Sequence, residues 1–246
     1  MRFFKKQHYG GGVKPAHSKA FTLAEVLVTL GVLGVVAALT MPTLIDNHRD
    51  KVLVTQIKAT YNLMLNAFDL YKQEHKCFDL FCLFKRNKTE TEIADEFATM
   101  FSGSKVCDNS NKNESYCKSY PIKGQKPYKK DGKYDAPDSF SLKGRIVLKN
   151  GSYILIRNYA ECKHQYTTIK RDDNGFVISS EEKTVDVCST IYIDANGNKG
   201  PNQFGADIYR VSLKSDGLLD DPNNIKQVIT TDKLDYVKYK LGEDVH

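Results

Sequence analysis

Residues 21–45 read FTLAEVLVTLGVLGVVAALTMPTLI, 25 positions of which one, Glu25, is charged. A helix needs roughly 20 apolar residues to cross the hydrocarbon core of a bilayer. A lipid-exposed segment must satisfy every backbone N–H and C=O within itself, so a run of this kind is helical. The apolar region of a secretory signal is shorter, about 7–15 residues. Glu25 is the exception inside the run. A carboxylate at mid-bilayer costs ~2.5–3.5 kcal/mol on insertion scales, and less near the headgroups. Two readings stay open for it: a functional group awaiting a cationic partner, or a residue close enough to the interface to remain wet.

The flanks add detail. Before the run lies a leader with Arg2, Lys5, Lys6, Lys14 and Lys19 and no acid, and Pro42 stands 21 residues beyond Phe21. The pattern Lys-Ala-Phe-Thr-Leu-Ala-Glu-Val-Leu, with its proline at that distance, resembles the signal of type IV prepilins and type II secretion pseudopilins. The resemblance implies that a prepilin peptidase cuts between Ala20 and Phe21 and methylates the new amino terminus at Phe21. Ala20 stands where the family usually has glycine, so a small residue is kept. It further implies that Glu25 meets the terminal ammonium of a neighbouring subunit during assembly, with Pro42 shaping the assembled helix. The implied function is that of a structural subunit of a type II secretion pseudopilus or a type IV pilus-like filament. The alternative is a competence or adhesive pilin whose head holds DNA or a surface. The implied partners are other pilin or pseudopilin subunits, the prepilin peptidase, the inner-membrane assembly platform and the membrane itself, with nucleic acid the less favoured one.

The formal net charge is +6, and the leader supplies five of those charges. The basic balance therefore reports the positive-inside flank that orients a single-pass helix with its N-terminus cytoplasmic. The chain beyond the helix is exported, first to the outer side of the membrane and then to a periplasmic or cell-surface filament. All six cysteines (Cys77, Cys82, Cys107, Cys117, Cys162 and Cys188) lie on that side. An even count in an exported domain reads as a disulfide framework. Of the 15 pairings that six thiols allow, the sequence-adjacent one is favoured, because its first two bridges close short local loops. A metal centre is disfavoured, since no C-x-x-C pair is present.

Past the apolar run, Leu53, Ile57, Tyr61, Met64, Phe68 and Tyr71 recur at three- and four-residue steps, an amphipathic stripe that carries the helix on to about Lys76. Pro42 removes one helical hydrogen bond and is expected to kink it. A short helix is expected at 92–101. From there the period falls to two. Residues 145–148 and 153–157 flank Asn150-Gly151 and predict a hairpin with a type I′ turn. A second hairpin is expected at 166–170 and 176–179 around Asp173-Asn174-Gly175, then strands at 189–193 and 207–213. The chain thus divides into a leader at 1–20, a membrane or filament-core helix at 21–45, its amphipathic continuation at 46–76 and a disulfide-linked head at 77–246. The expected class is α+β, the long N-terminal helix packing on an antiparallel sheet in the manner of pilin heads.

Two loops could carry chemistry. In 194–207, Asp194, Asn196 and Asn198 alternate as in an EF-hand, but Gly205 occupies the position of the bidentate glutamate. The loop also resembles a pseudopilin-head signature whose relatives hold calcium, which would make Asp194, Asn196 and Asp207 oxygen donors to Ca²⁺. The alternative is a connection fixed by Asx hydrogen bonds, with Gly197 and Gly205 at positive φ. The second loop places Lys118, Lys123, Lys126, Lys129, Lys130 and Lys133 among Tyr120, Tyr128 and Tyr134. Phosphate contacts and base stacking could use such a mixture, although a solvated loop is the commoner meaning. No H-E-x-x-H, no G-x-S-x-G and no phosphate-cradling glycine loop occurs, so the chain is not read as an enzyme.

Overall fold

The computed structural model describes residues 22–125, 129–130, 133–134, 138–140, 143–172, 176–220 and 225–239. The leader, Phe21 and the turn at 173–175 lie outside them. Contacts divide the chain into two compact units, Met1–Asp46 and Asn47–His246.

Helix α1 spans Leu23–Glu74, with Pro42 inside it. In the second unit its stripe faces inward: Leu53, Ile57, Tyr61, Met64, Phe68 and Tyr71 are all buried, joined by Val54, Thr60 and Ala67. Helix α2, Glu90–Ala98, starts earlier than its periodicity suggests. Thr89 caps the Glu92 amide while the Glu92 carboxylate accepts from the Thr89 amide, the reciprocal pair of a capping box. The two helices meet through aromatic rings. Phe68 stacks on Phe97 at 4.6 Å and sits edge-on to Phe84 at 5.9 Å. Beside them, the Tyr71 hydroxyl donates to Glu96, which also pairs with Lys88.

The strands, in chain order, are β1 (Lys105–Cys107), β2 (Tyr120–Ile122), β3 (Lys129–Lys130), β4 (Lys133–Tyr134), β5 (Asp138–Phe140), β6 (Arg145–Val147), β7 (Tyr153–Asn158), β8 (Lys163–Arg171), β9 (Val177–Asp186), β10 (Ser189–Asp194), β11 (Ile208–Leu213) and β12 (Leu219–Asp220). A third helix, α3, covers Ile225–Thr231. Six strands form one antiparallel sheet in the order β1-β6-β7-β10-β11-β12. The α+β class is therefore observed: a long N-terminal helix and then an antiparallel sheet.

Both faces of this sheet are covered. Ile154, Ile156, Ile191 and Ile193 point into the core shared with α1 and α2. Tyr153, Leu155 and Tyr192 alternate to the opposite face, where Ile122 and Ile208 complete a second cluster. That is why Tyr153-Ile-Leu-Ile156 reads as an unbroken apolar run rather than a half-buried alternation.

One expectation is corrected. The 148–152 connection is not a type I′ turn, because Asn150 does not take the positive φ that such a turn requires there; Gly151 alone does, at +88°. Gly151 N–H donates to Leu148 O at 2.9 Å, and Leu148 N–H donates to Ser152 O at 2.9 Å, which closes a three-residue loop ending in a left-handed glycine. The Asn150 side chain fixes this form by accepting from the Ser152 amide and hydroxyl.

Candidate functional site

Thr22, Glu25, Thr29 and Thr40, at the start of α1 and in its apolar part, place polar side-chain atoms on partners within the same segment. Thr22 and Glu25 form a capping box at the start of the helix. The Glu25 Oε2 accepts from the Thr22 amide at 2.8 Å and from its hydroxyl at 2.9 Å, and the Glu25 amide donates to the Thr22 Oγ1 at 3.2 Å. The hydroxyls of Thr29 and Thr40 donate back to the carbonyls of Val26 and Val36. Pro42 has no N–H, so the Ala38 carbonyl lacks its usual helical donor. The apolar side chains are exposed, among them Leu23, Leu27, Leu33 and Leu39. A Cβ added to Gly31 or Gly34 would meet nothing within 4 Å. The helix is long and apolar enough to cross a membrane, and none of its apolar window is buried within the chain. A continuous apolar surface of this size needs cover, from lipid or from other helices. The Thr22 role was legible in the sequence as T-x-x-E before an apolar run, a signal the reading of Glu25 as an assembly residue leaves unused.

The six cysteines form three disulfides, Cys77–Cys82, Cys107–Cys117 and Cys162–Cys188, and no thiol is free. The pairing is the sequence-adjacent one.

The 194–207 loop is a buried polar hub. Asp194 and Asp207 are both fully buried. Asp194 accepts from the Tyr120 hydroxyl and, at 3.2 Å, from the Asn196 amide. Asp207 accepts from the amides of Gln203 at 2.8 Å and Asn202 at 2.9 Å. Burial pushes the Asp207 carboxyl up to about 6, against those two amides, which pull it down. Burial and then the charge of Asp207 hold Asp194 well above the ordinary carboxylate range.

Gln203, also buried, donates its side-chain amide to Gly124 O at 2.9 Å and Val237 O at 2.8 Å, which ties the segment after β2 and the C-terminal segment to the loop. Gly197 and Gly205 take positive φ as expected. At Gly205 a Cβ would lie 2.0 Å from the Asp235 carbonyl oxygen, so only glycine lets that strand of chain approach.

Arg145, which the sequence reading passes over, lies beneath this hub with no exposed surface. Its guanidinium donates to Tyr116 O at 3.0 Å and Lys118 O at 2.9 Å and lies over the rings of Tyr120 and Tyr153. Burial lowers its proton affinity, and Tyr120, Tyr153 and Asp194 beside it work against that. Nothing in the local pattern Gly-Arg-Ile-Val distinguishes it from an exposed strand residue.

Asp194, Asn196 and Asp207 do converge on one loop. The two carboxylates are occupied by amides and a hydroxyl, whereas the buried Oδ1 of Asn196 has no donor among the described residues. Hard oxygens of this kind are what a calcium ion takes. Among the described residues no three His, Cys, Asp or Glu side chains gather as a metal site. In the lysine-rich segment, Tyr120 is committed to Asp194 rather than presented for stacking. Lys123 places its Nζ 5.2 Å from the centre of the Tyr239 ring. Lys126 and Tyr128 lie outside the described residues, as do Ala20 and Phe21.

Residues 15–41 match the family described as the prokaryotic N-terminal methylation motif, the hallmark of type IV pilins and pseudopilins. None of the curated proteins and none of the solved structures matches this chain.

Proposed function

We propose that this chain is a prepilin-like structural subunit, cleaved between Ala20 and Phe21, methylated at Phe21 and assembled through its apolar helix into a type II secretion pseudopilus or a pilus-like filament. The observation that carries the reading is the methylation motif at 15–41 on an apolar helix segment whose surface the chain itself leaves uncovered. In the membrane, lipid covers that surface; in a filament, the same surface of neighbouring subunits does. Glu25 is the one group in it whose cost changes with the partner available. The head has a structural task here: its disulfides and two-sided core keep it folded outside the cell's reducing compartment.

Intact-mass measurement of the protein from cells that carry a prepilin peptidase tests the proposal. The expected mature chain begins at Phe21 and, after reduction of its three disulfides, is heavier than the unmodified sequence by one CH2, the net gain of a single N-methylation. A mature chain beginning elsewhere overturns it.

A calcium ion in the 194–207 loop is a second reading, favoured by the buried Asn196 Oδ1, which no donor among the described residues reaches. Asp194, Asn196 and Asp207 would hold it. Ca²⁺ should then raise the melting temperature of the Asn47–His246 unit relative to a chelator, and Asp194→Asn should remove the rise. Equal melting in both leaves the loop a hydrogen-bonded connection.

A further inference from the structure

Between β7 and β10 the chain leaves the six-stranded sheet to build β8 and β9, which pair with each other over Lys163–Arg171 and Val177–Asp186 and with no other described strand. The base of this hairpin is fixed. Cys162 is bonded to Cys188, the Val187 amide donates to Cys162 O at 2.7 Å, and Asp186 accepts from the Ser215 amide and hydroxyl. Beyond the base, every residue from Val177 to Thr184 is exposed. Near the tip, Ile169, Phe176, Val177 and Ile178 are 48–67% exposed.

A two-stranded hairpin is marginal in water by itself, and each of its strands presents an outer edge of unpaired N–H and C=O groups. The two edges differ in sign. Strand β8 carries Lys163, Lys170 and Arg171 and no acid, whereas β9 carries Glu181, Glu182 and Asp186 against the single Lys183. Within the hairpin Lys183 pairs with Glu181 at 3.4 Å, while Glu182, Lys170 and Arg171 stand opposite no charged residue. Glu181 and Glu182 stand opposite Thr168 and Thr167, and Lys170 stands opposite Ser179. Lys163 opposite Asp186, at the base, is the one opposed pair of unlike charge.

We propose that this hairpin is a strand-addition interface between successive copies of the chain, the β8 edge of one subunit pairing with the β9 edge of the next. The inference rests on the filament-subunit reading above. Copies related by translation keep the order β8-β9-β8-β9. Because β8 and β9 run antiparallel within a copy, each β9 then meets the next copy's β8 antiparallel as well. Such a contact is heterologous and does not close, which is what an open filament requires. The charges select it: a twofold contact would set lysines against lysines along β8, or glutamates against glutamates along β9, and like charges facing across strands destabilise pairing. The same contact gives the apolar tip a neighbour to pack against.

Cysteine cross-linking in filaments tests the interface. All six native cysteines are in disulfides, so an introduced thiol reacts alone. Two full-length variants, Thr167→Cys and Glu182→Cys, are assembled separately and together and mildly oxidised, so that only thiols on directly adjoining strands, about 5 Å apart, can join as a disulfide. The expected result is a cross-linked dimer in the mixed filaments and none above background in either variant alone. Independently, Lys170→Glu and Glu181→Lys should each lower filament yield, and the two together in one chain should restore it. Equal cross-linking in single-variant filaments means twofold pairing and overturns the proposal. Wild-type filaments with no cross-link in the mixture mean a solvated arm or an arm for some other protein; the proposal then falls while the filament reading stands. If the wild-type chain enters no filament, both fall together.

Discussion

Glu25 has two demands on one carboxylate. It caps its own helix through Thr22, and the proposed assembly asks it to meet the amino terminus of a neighbour. The two can be separated because they involve different partners. Loss of a cap costs about 0.5–2 kcal/mol, whereas removing one member of a buried ion pair costs about 3–5 kcal/mol. Thr22→Val should therefore leave filament incorporation nearly intact, and Glu25→Val should abolish most of it while membrane insertion and cleavage continue. Equal losses in the two variants, measured by filament yield in cells lacking the native copy, would reduce Glu25 to a cap. Asp207 supplies a second test at this scale. Its folded pKa is raised to about 6, above the ~3.9 of an unfolded aspartate. Between those values the native state binds more protons than the unfolded one, so stability falls as pH rises from about 4 to about 6 and is level above that. Asp194 pulls in the same direction. Wild type should melt higher at pH 5 than at pH 7.5, and Asp207→Asn should narrow the difference even though it weakens one loop hydrogen bond at every pH. An unchanged pH dependence would remove Asp207 as the titrating group.

The elements divide by how local their causes are. The stripe from Leu53 to Tyr71 was legible because a helix buries one face at a fixed period, and each of its six residues is buried. Four of the six sheet strands, β6, β7, β10 and β11, were legible as apolar runs between turn residues such as Asn150-Gly151, whereas β1 and β12, three and two residues long, are too short to show a pattern. The turn type at Asn150 was not, because the asparagine side chain chose between two loops that the dipeptide alone does not separate. The second covered face of the sheet was also hidden. It depends on Ile122 and Ile208 arriving from distant parts of the chain, and no periodicity encodes that. Arg145 fails for a similar reason: its partners are the carbonyls of Tyr116 and Lys118, contacts set by tertiary packing. The β8–β9 arm is an intermediate case. Its existence was readable from Asp173-Asn174-Gly175, but its length was not, because exposed strands lack the apolar alternation that marks a strand's extent.

At the scale of the whole molecule, the two units are built for different surroundings, and that difference can be measured. The unit Met1–Asp46 exposes nearly all its described apolar side chains, whereas Asn47–His246 contains the helical stripe, both core clusters and all three disulfides. The second unit therefore holds everything its fold requires. Exported by itself, residues 47–246 should be soluble and should melt in one cooperative transition, while the full chain should fractionate with membranes or need detergent. Alkylation of the denatured, unreduced unit should label none of its cysteines; labelling of two or more would break the framework. Reduction should then lower stability by about 2–5 kcal/mol for each bridge lost. The bridges should not weigh equally in what the loss does. Cys77–Cys82 and Cys107–Cys117 span separations of 5 and 10 residues, whereas Cys162–Cys188 spans 26 and closes the base of the exposed arm. Loop-closure entropy grows with the length enclosed, so Cys162→Ser with Cys188→Ser should cost the most stability. Hydrogen exchange should rise first along Lys163–Arg171 and Val177–Asp186, with the six-stranded sheet still protected. If the sheet and the arm lose protection together, the arm is part of the head's cooperative unit rather than an appendage held at its base.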